Sequence, residues 1–517
     1  MADKTAKGKQ PLVTISTGEP SIPLNECAIL QRSDPCLIVI FGATGDLTAR
    51  KLIPALFNLY RSQGLPESFA IVGCGRTQMD DPQFRDHLEA GLTLRNGSDR
   101  KQWETFRGQL YYQPIVYDDP QTYASLAQRI DSLDRRHSTR GNKIFYLALP
   151  PSLYEPVAQM IGKAGLNREQ GGSWARLVVE KPFGRDLKTA ENLDRNLHRY
   201  FTEHQVFRID HYLAKETVQN VLMFRFANAI FEPLWNRRYI DSIDIMATET
   251  LGVEHRSGYY EQAGVLRDMF QNHMLQLLAL TAMEPPSRFE ADWVRDERVK
   301  VFRSLRAFPA DSMEKSLVLG QYAAGVIDGK PVPAYRKETG VHPESITPTY
   351  AKMRVYVDNW RWQGVPFYLT SGKRLAEKIT RITIQFKEVP HSMFRPVLGE
   401  SIRPNRLILG ISPEENISLT FQTKTPGARV CLRSVTMDFH YQHAGTEMML
   451  DAYEKVLIDC MLGDQMLFWR QDAVELCWSF LTPILTACET CRHPEALMHF
   501  YQAGSWGPPE AAALVES

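Results

Sequence analysis

The chain has little that would commit it to a membrane, a disulfide scaffold or a polyanion. Its unbroken apolar runs are only a few residues long, against the roughly 20 residues a helix needs to cross a bilayer. Cysteine is sparse, with 8 in 517 residues, so disulfides cannot replace a core and the thiols read as reduced. Cys488 and Cys491 form a lone CxxC. It lacks the second pair of a zinc site and the preceding strand of a redox motif, and reads as two ordinary helix thiols. Neither charge is in surplus, since Lys plus Arg and Asp plus Glu each number 60. Broad nonspecific nucleic-acid binding needs a basic excess and is excluded, whereas a local basic pocket for a phosphorylated metabolite is not. No internal repeat and no long low-complexity tract is visible. The N-terminal MADKTAKGKQPLV lacks the apolar segment of a secretory signal, which with the reduced thiols leads to the expectation of a cytoplasmic protein.

What is present is core-forming material. Hydrophobic residues make up 44% and charged residues 23%, enough for about three domains or two large ones. Residues 1–34, rich in Lys, Thr, Ser, Pro and Gly, read as a flexible arm. Short apolar runs then alternate with helical patterns. The runs are CLIVIF at 36–41, FAIVGC at 69–74, Leu110–Val116, KIFYLALP at 143–150 and ARLVVE at 175–180, and VFRID at 206–210 closes the series. The helical patterns lie near 47–63, 81–93, 120–134, 152–164 and 186–203. This alternation predicts a parallel sheet with helices on both faces. A long amphipathic helix is expected at 261–283. After residue 350 period-2 runs predict a mostly antiparallel sheet: 353–359, 381–387, 406–411, 417–424 and 428–441. The tail at 445–501 returns to helical spacing. The expected organisation is a dinucleotide-binding α/β domain over 35–210, followed by a larger α+β substrate and oligomerisation domain over 211–517.

Five segments carry chemistry. GATGDLT at 42–48 follows the first strand and opens a helix, so Gly42 and Gly45 suit a turn that admits a pyrophosphate to the helix N-terminus. The spacing is GxxGxxT, and the same residues also suit a plain strand-to-helix turn. After the second strand stand Arg76 and Thr77, with no acid before Asp80. An acid there would bind the ribose 2′-hydroxyl of NAD, while a guanidinium grips the 2′-phosphate of NADP, so the pattern favours NADP. VVEKPFG at 178–184 puts Lys181 at a strand end, where parallel sheets bind ligands; an ordinary turn is the alternative. RIDHYLAKE at 208–216 crowds Arg208, Asp210, His211, Tyr212, Lys215 and Glu216 together. Such a cluster can hold a phosphate monoester, and Asp210 could equally cap the following helix. LRDMFQNHMLQLL at 266–278 carries Asp268, Asn272 and His273 on an otherwise apolar helix. A histidine with a carboxylate partner can take a proton from a sugar hydroxyl, although a lone helix histidine is more often a packed boundary residue.

Together these segments resemble the glucose-6-phosphate dehydrogenase family. The resemblance rests on GATGDLTARK, VVEKPFG, RIDHYLAKE and GVLRDMFQNHMLQ, with FYLALPP at 145–151 and VPFYLTSGKRL at 365–375, and runs in order to GSW at 504–506. It implies oxidation of glucose 6-phosphate at C1 to 6-phosphoglucono-δ-lactone with hydride transfer to NADP, in the oxidative pentose phosphate pathway. It further implies a Rossmann domain plus an α+β domain on an antiparallel sheet, and a homodimer or homotetramer assembled through that sheet. His273 then corresponds to the general base and Asp210 to the carboxylate that orients it. His211, Tyr212 and Lys215 match contacts to the substrate phosphate and sugar. Lys181, Glu249, Asp268 and Lys373 match further substrate contacts. Gly42, Gly45, Asp46, Lys51, Arg76 and Lys181 match the cofactor side. No metal is implied. Three positions depart from the family pattern. Ala214 stands where Gly is common, Ser412 where Gln is common, and Ile379 at a basic position of the second, structural NADP site that eukaryotic members carry; that site is not carried over. Two rivals differ in sequence terms. Another NAD(P)-dependent sugar oxidoreductase would lack the RIDHYLAKE cluster, and a catalytically silent dinucleotide sensor would lack the His273 and Asp210 pair.

Overall fold

The computed structural model describes residues 33–92, 97–210, 212–213, 216–308, 310–394, 402–427, 431–440, 450–490 and 498–516. Most of the expected N-terminal arm therefore lies outside the described residues, as do His211, Ala214, Lys215 and Cys491.

Six short strands form the first sheet: β1 (Cys36–Phe41), β2 (Phe69–Gly75), β3 (Leu110–Pro114), β4 (Lys143–Leu147), β5 (Ala175–Val179) and β6 (Val206–Arg208). Their order is β3-β2-β1-β4-β5-β6 and every pair is parallel. The continuous apolar runs follow from this: β1 and β2 are buried at every position because both faces are covered. Leu37, Val39 and Phe41 face one core, with Tyr123 and Leu126. Ile38 and Ile40 face the other, with Leu52 and Leu56. That second core also takes in Val456, Leu457 and Met461 of the late helix Ala452–Leu462, so this helix returns to cover the first sheet.

The remaining strands are β7 (Ile240–Thr248), β8 (Leu317–Ala323), β9 (Gly325–Ile327), β10 (Lys330–Val332), β11 (Tyr350–Tyr356), β12 (Pro366–Gly372), β13 (Thr380–Phe386), β14 (Arg406–Ser412), β15 (Asn416–Lys424), β16 (Leu432–His440) and β17 (Met498–Gln502). β9 and β10 form a small hairpin, and the other nine make one sheet, ordered β16-β15-β14-β13-β7-β12-β11-β8-β17. All its pairs are antiparallel except β7 with β12 and β8 with β17. β13 shows the expected alternation, with Ile382 and Ile384 buried.

Several expectations need correction. In the large sheet the period-2 signal does not reveal β7, β8, β12 or β17, and β17 interrupts the tail that reads as helical. β8 is buried at all but its last position, so alternation vanishes there. Helices Gly97–Arg107 and Ala291–Arg303 were also not anticipated. The expected amphipathic helix at 261–283 is broken at Gly264, where φ is 58° and ψ 178°, and its middle turns, Leu266–Met274, have π-helical hydrogen bonding. Nor is it amphipathic in the usual sense, because residues 268–283 are all buried. It lies against β7 and β12 and against the helix Gln471–Thr490, which leaves no face to water. Two of its polar residues, Asp268 and His273, meet Lys181.

Candidate active site

The site forms where three elements end or bend. β5 delivers Lys181 just past its carboxyl end, the chain leaving β6 delivers Asp210, and the buried helix delivers Asp268 and His273. His273 Nδ1 lies 2.6 Å from Asp210 Oδ1, and both side chains are only 1% exposed. Lys181 Nζ lies 2.9 Å from His273 Nε2, 3.5 Å from Asp268 Oδ1 and 3.3 Å from the Asp268 carbonyl. An ammonium can only donate, so Nε2 is the bare nitrogen and Nδ1 carries the proton donated to Asp210. The Tyr212 ring stacks on the imidazole at 4.0 Å, and the Tyr212 N–H donates to Asp210 Oδ1 at 3.0 Å. Asp210 thus does serve the turn after β6, and orients the histidine as well.

Electrostatics separate the two groups of this helix. Burial lowers the His273 pKa; the Asp210 carboxylate opposes it, and the Lys181 cation adds to the fall, leaving the imidazole below its ordinary value. Burial pushes the Asp268 carboxyl up, but Lys181, Lys373 and Arg256 outweigh it, so Asp268 stays ionised. Tyr259 also donates to Asp268 Oδ1 at 3.3 Å. Burial holds the Tyr212 hydroxyl above its usual range, so it remains a donor. Glu249 and Lys373 stand just past the carboxyl ends of the parallel neighbours β7 and β12 and pair at 2.5 Å. One site therefore holds a neutral base, the three carboxylates Asp210, Asp268 and Glu249, and the two cations Lys181 and Lys373.

The dinucleotide turn is built separately. Gly42 has φ 85°, and a Cβ there would sit 2.1 Å from the Ala148 carbonyl oxygen, so only glycine fits. The Gly45 N–H and the Thr48 hydroxyl both donate to the Gly42 carbonyl, closing the turn. The N-terminus of the helix that follows favours an anion such as a pyrophosphate. Arg76 is exposed just past β2, and Asp80, the first acid after that strand, caps the next helix by accepting from the Gln83 N–H at 2.8 Å. These residues fit a dinucleotide with a 2′-phosphate. Asp46 and Lys51 are engaged differently: Asp46 pairs with Arg50 at 2.6 Å, and Lys51 faces Asp451 at 3.8 Å.

Arg208 turns away from the site. It is buried and bound to Asp194 at 2.5 Å and Glu203 at 2.9 Å, a structural cluster that includes His198. Sequence reading missed Tyr259 and the group around Glu180. Tyr146 donates to Glu180 Oε1 at 2.6 Å, Tyr453 bonds it as well, and burial raises its pKa. Glu180 directly precedes Lys181 at a strand end, a usable signal; Tyr453 lies far off in sequence and offered none.

Family models for the glucose-6-phosphate dehydrogenase NAD binding domain and C-terminal domain match residues 39–220 and 222–517. A glucose-6-phosphate 1-dehydrogenase from Aggregatibacter actinomycetemcomitans is 48% identical, over 94% of this chain and 96% of its own. One from Treponema pallidum is 45% identical, over 93% and 94%. A solved glucose-6-phosphate dehydrogenase in complex with its substrate superposes with a TM-score of 0.86 at 34% identity, covering 94% of this chain and 98% of that one. With both halves matched and the relatives spanned almost end to end, the chain belongs to the glucose-6-phosphate dehydrogenase family.

Proposed function

We propose that this chain oxidises glucose 6-phosphate through His273 as general base and Asp210 as its orienting carboxylate. The reaction converts the C1 hydroxyl to the lactone carbonyl of 6-phosphoglucono-δ-lactone. NADP, when bound, accepts the hydride from C1. The observation that carries the reading is the buried 2.6 Å contact between His273 Nδ1 and Asp210, with Nε2 left as acceptor. Nε2 takes the hydroxyl proton, and Asp210 stabilises the imidazolium that results. Lys181, already at Nε2 and Asp268, steadies the hydroxyl and the developing charge. Asp268, Glu249 and Lys373 bind sugar hydroxyls, and Tyr212 packs beside the ring with His211 and Lys215 taking the phosphate. Gly42, Gly45, Asp46, Lys51, Arg76 and Lys181 form the cofactor side, with Arg76 on the 2′-phosphate.

The division into a dinucleotide unit at 35–210 and a substrate unit at 211–517 belongs to this reading. So does a cytoplasmic homodimer or homotetramer joined through the large sheet, whose strand β16 leaves Met437 49% exposed. No helix among the described residues is long and apolar enough to cross a membrane. The test is the rise in NADPH absorbance with glucose 6-phosphate and NADP, beside free glucose. Turnover with the phosphate ester and little with glucose is expected, because binding of the remote phosphate orients C1. Equal rates would overturn the phosphate assignment.

A further inference from the structure

β7 and β12 run parallel, with Glu249 and Lys373 beyond their carboxyl ends. Around their amino ends lies a cavity of about 1060 Å³ that the reaction does not use. The nine residues of β7, at about 3.3 Å each, put about 30 Å between the two places. Arg237, Arg238 and Lys387 line this cavity, with Asp241 as the acid among its walls. None of the three cations has an ion pair among the described residues. This contrasts with their neighbour Arg361, whose guanidinium is committed to Glu232 and Glu284. The fold therefore pairs the arginine it uses for structure and leaves three cations facing one space.

The second observation is aromatic. Trp360, on the same wall, is 90% exposed, the most exposed large apolar side chain among the described residues. Arg237 lies over one side of its ring, with the guanidinium 5.9 Å from the centroid. Tyr239 adds a second aromatic wall and is 41% exposed. These side chains stand on a fixed frame. The Arg237 N–H donates to the Arg361 carbonyl at 2.7 Å, and the Lys387 N–H donates to the Tyr239 carbonyl at 2.8 Å. Two main-chain bonds thus tie the three segments carrying the cations and the rings.

Unpaired cations beside an exposed indole are the chemistry that recognises a phosphate attached to a flat ring. We infer that this cavity binds a nucleoside phosphate, with the base on Trp360 and the phosphates on Arg237, Arg238 and Lys387, at a site apart from the dinucleotide turn. The cavity is large enough for a nucleoside triphosphate.

The test is calorimetric titration of ATP into protein saturated with NADPH and glucose 6-phosphate, which fill both reaction sites without turnover. Inorganic pyrophosphate and adenosine are titrated alongside. Saturable ATP binding is expected, with pyrophosphate and adenosine both weaker. The double variant Arg237→Ala/Arg238→Ala should weaken ATP by roughly tenfold or more through loss of charged contacts. Trp360→Ala should weaken ATP by roughly fivefold to a hundredfold while leaving pyrophosphate unchanged. Both variants should keep the parent kcat without ATP, since they lie at the far end of the strands from His273. Absence of saturable ATP binding, or equal ATP affinity in the variants, would overturn the site. Pyrophosphate binding as tightly as ATP would overturn the nucleotide class, and adenosine doing so would overturn the role of the cations.

Discussion

At the scale of single residues the proposal stands on one imidazole and its two neighbours. His273→Asn keeps a polar group of similar reach, so glucose 6-phosphate should bind as before while kcat falls by roughly 10²–10⁴. Asp210→Asn should cost less, because the histidine remains. Equilibrium titration beside kcat separates the two, and a His273→Asn protein that turns over near the parent rate would return the residue to a packing role. The pH profile adds a sign. The base must be neutral, and burial with Lys181 holds its pKa below the ordinary value of about 6.5. The acid limb of kcat/KM should therefore fall below that pH. Lys181→Met removes a cation that disfavours the imidazolium, so the limb should move up. Asp210→Asn removes the carboxylate that favours it, so the limb should move down. Shifts in the same direction for both variants would contradict this arrangement.

At the scale of elements, the legible parts of the sequence were those with one dominant period. β1 and β2 could be read because a strand covered on both faces is a short continuous apolar run, and β13 because one covered face alternates. The helix holding His273 is not amphipathic as its sequence suggests, because burial of residues 268–283 on all sides removes the solvent face. Its Asp268, Asn272 and His273 are all buried, and Asp268 and His273 meet Lys181 in the site. Partners from distant segments, such as Tyr453 on Glu180, leave no local trace. The end of β2 gives the next prediction. Arg76 is exposed and Asp80 is spent as a helix cap, so nothing acidic there favours a ribose hydroxyl. Arg76→Ala should weaken NADP by roughly tenfold to a hundredfold, the worth of one charge-assisted contact, and leave NAD nearly unchanged. KM values for the two cofactors report it, and equal losses would remove Arg76 from the 2′-phosphate.

At the scale of the whole molecule, the chain closes on itself. The helix Ala452–Leu462 supplies Val456, Leu457 and Met461 to a core shared with β1 and β4, and carries Tyr453 to Glu180 beside Lys181. One side chain from the first sheet fastens this return. Arg176 on β5 donates to the carbonyls of Cys460 and Met461, each at 2.7 Å, and its guanidinium lies 3.7 Å from the Trp174 ring centroid. Those carbonyls end a helix and have lost water, so removing their donor leaves acceptors unsatisfied. Arg176→Ala should cost about 2–4 kcal/mol for the two charge-assisted contacts together. Arg176→Lys, which can reach one carbonyl, should recover part of it. Because the same helix both walls the first core and fixes a group next to Lys181, loss of activity and loss of secondary structure should shift together to lower urea in Arg176→Ala. Parallel urea titrations followed by turnover and by circular dichroism measure this. An activity loss that moves while the structural transition stays put would show the returning helix to be dispensable for the first core, contrary to the packing of Val456 and Leu457 against it.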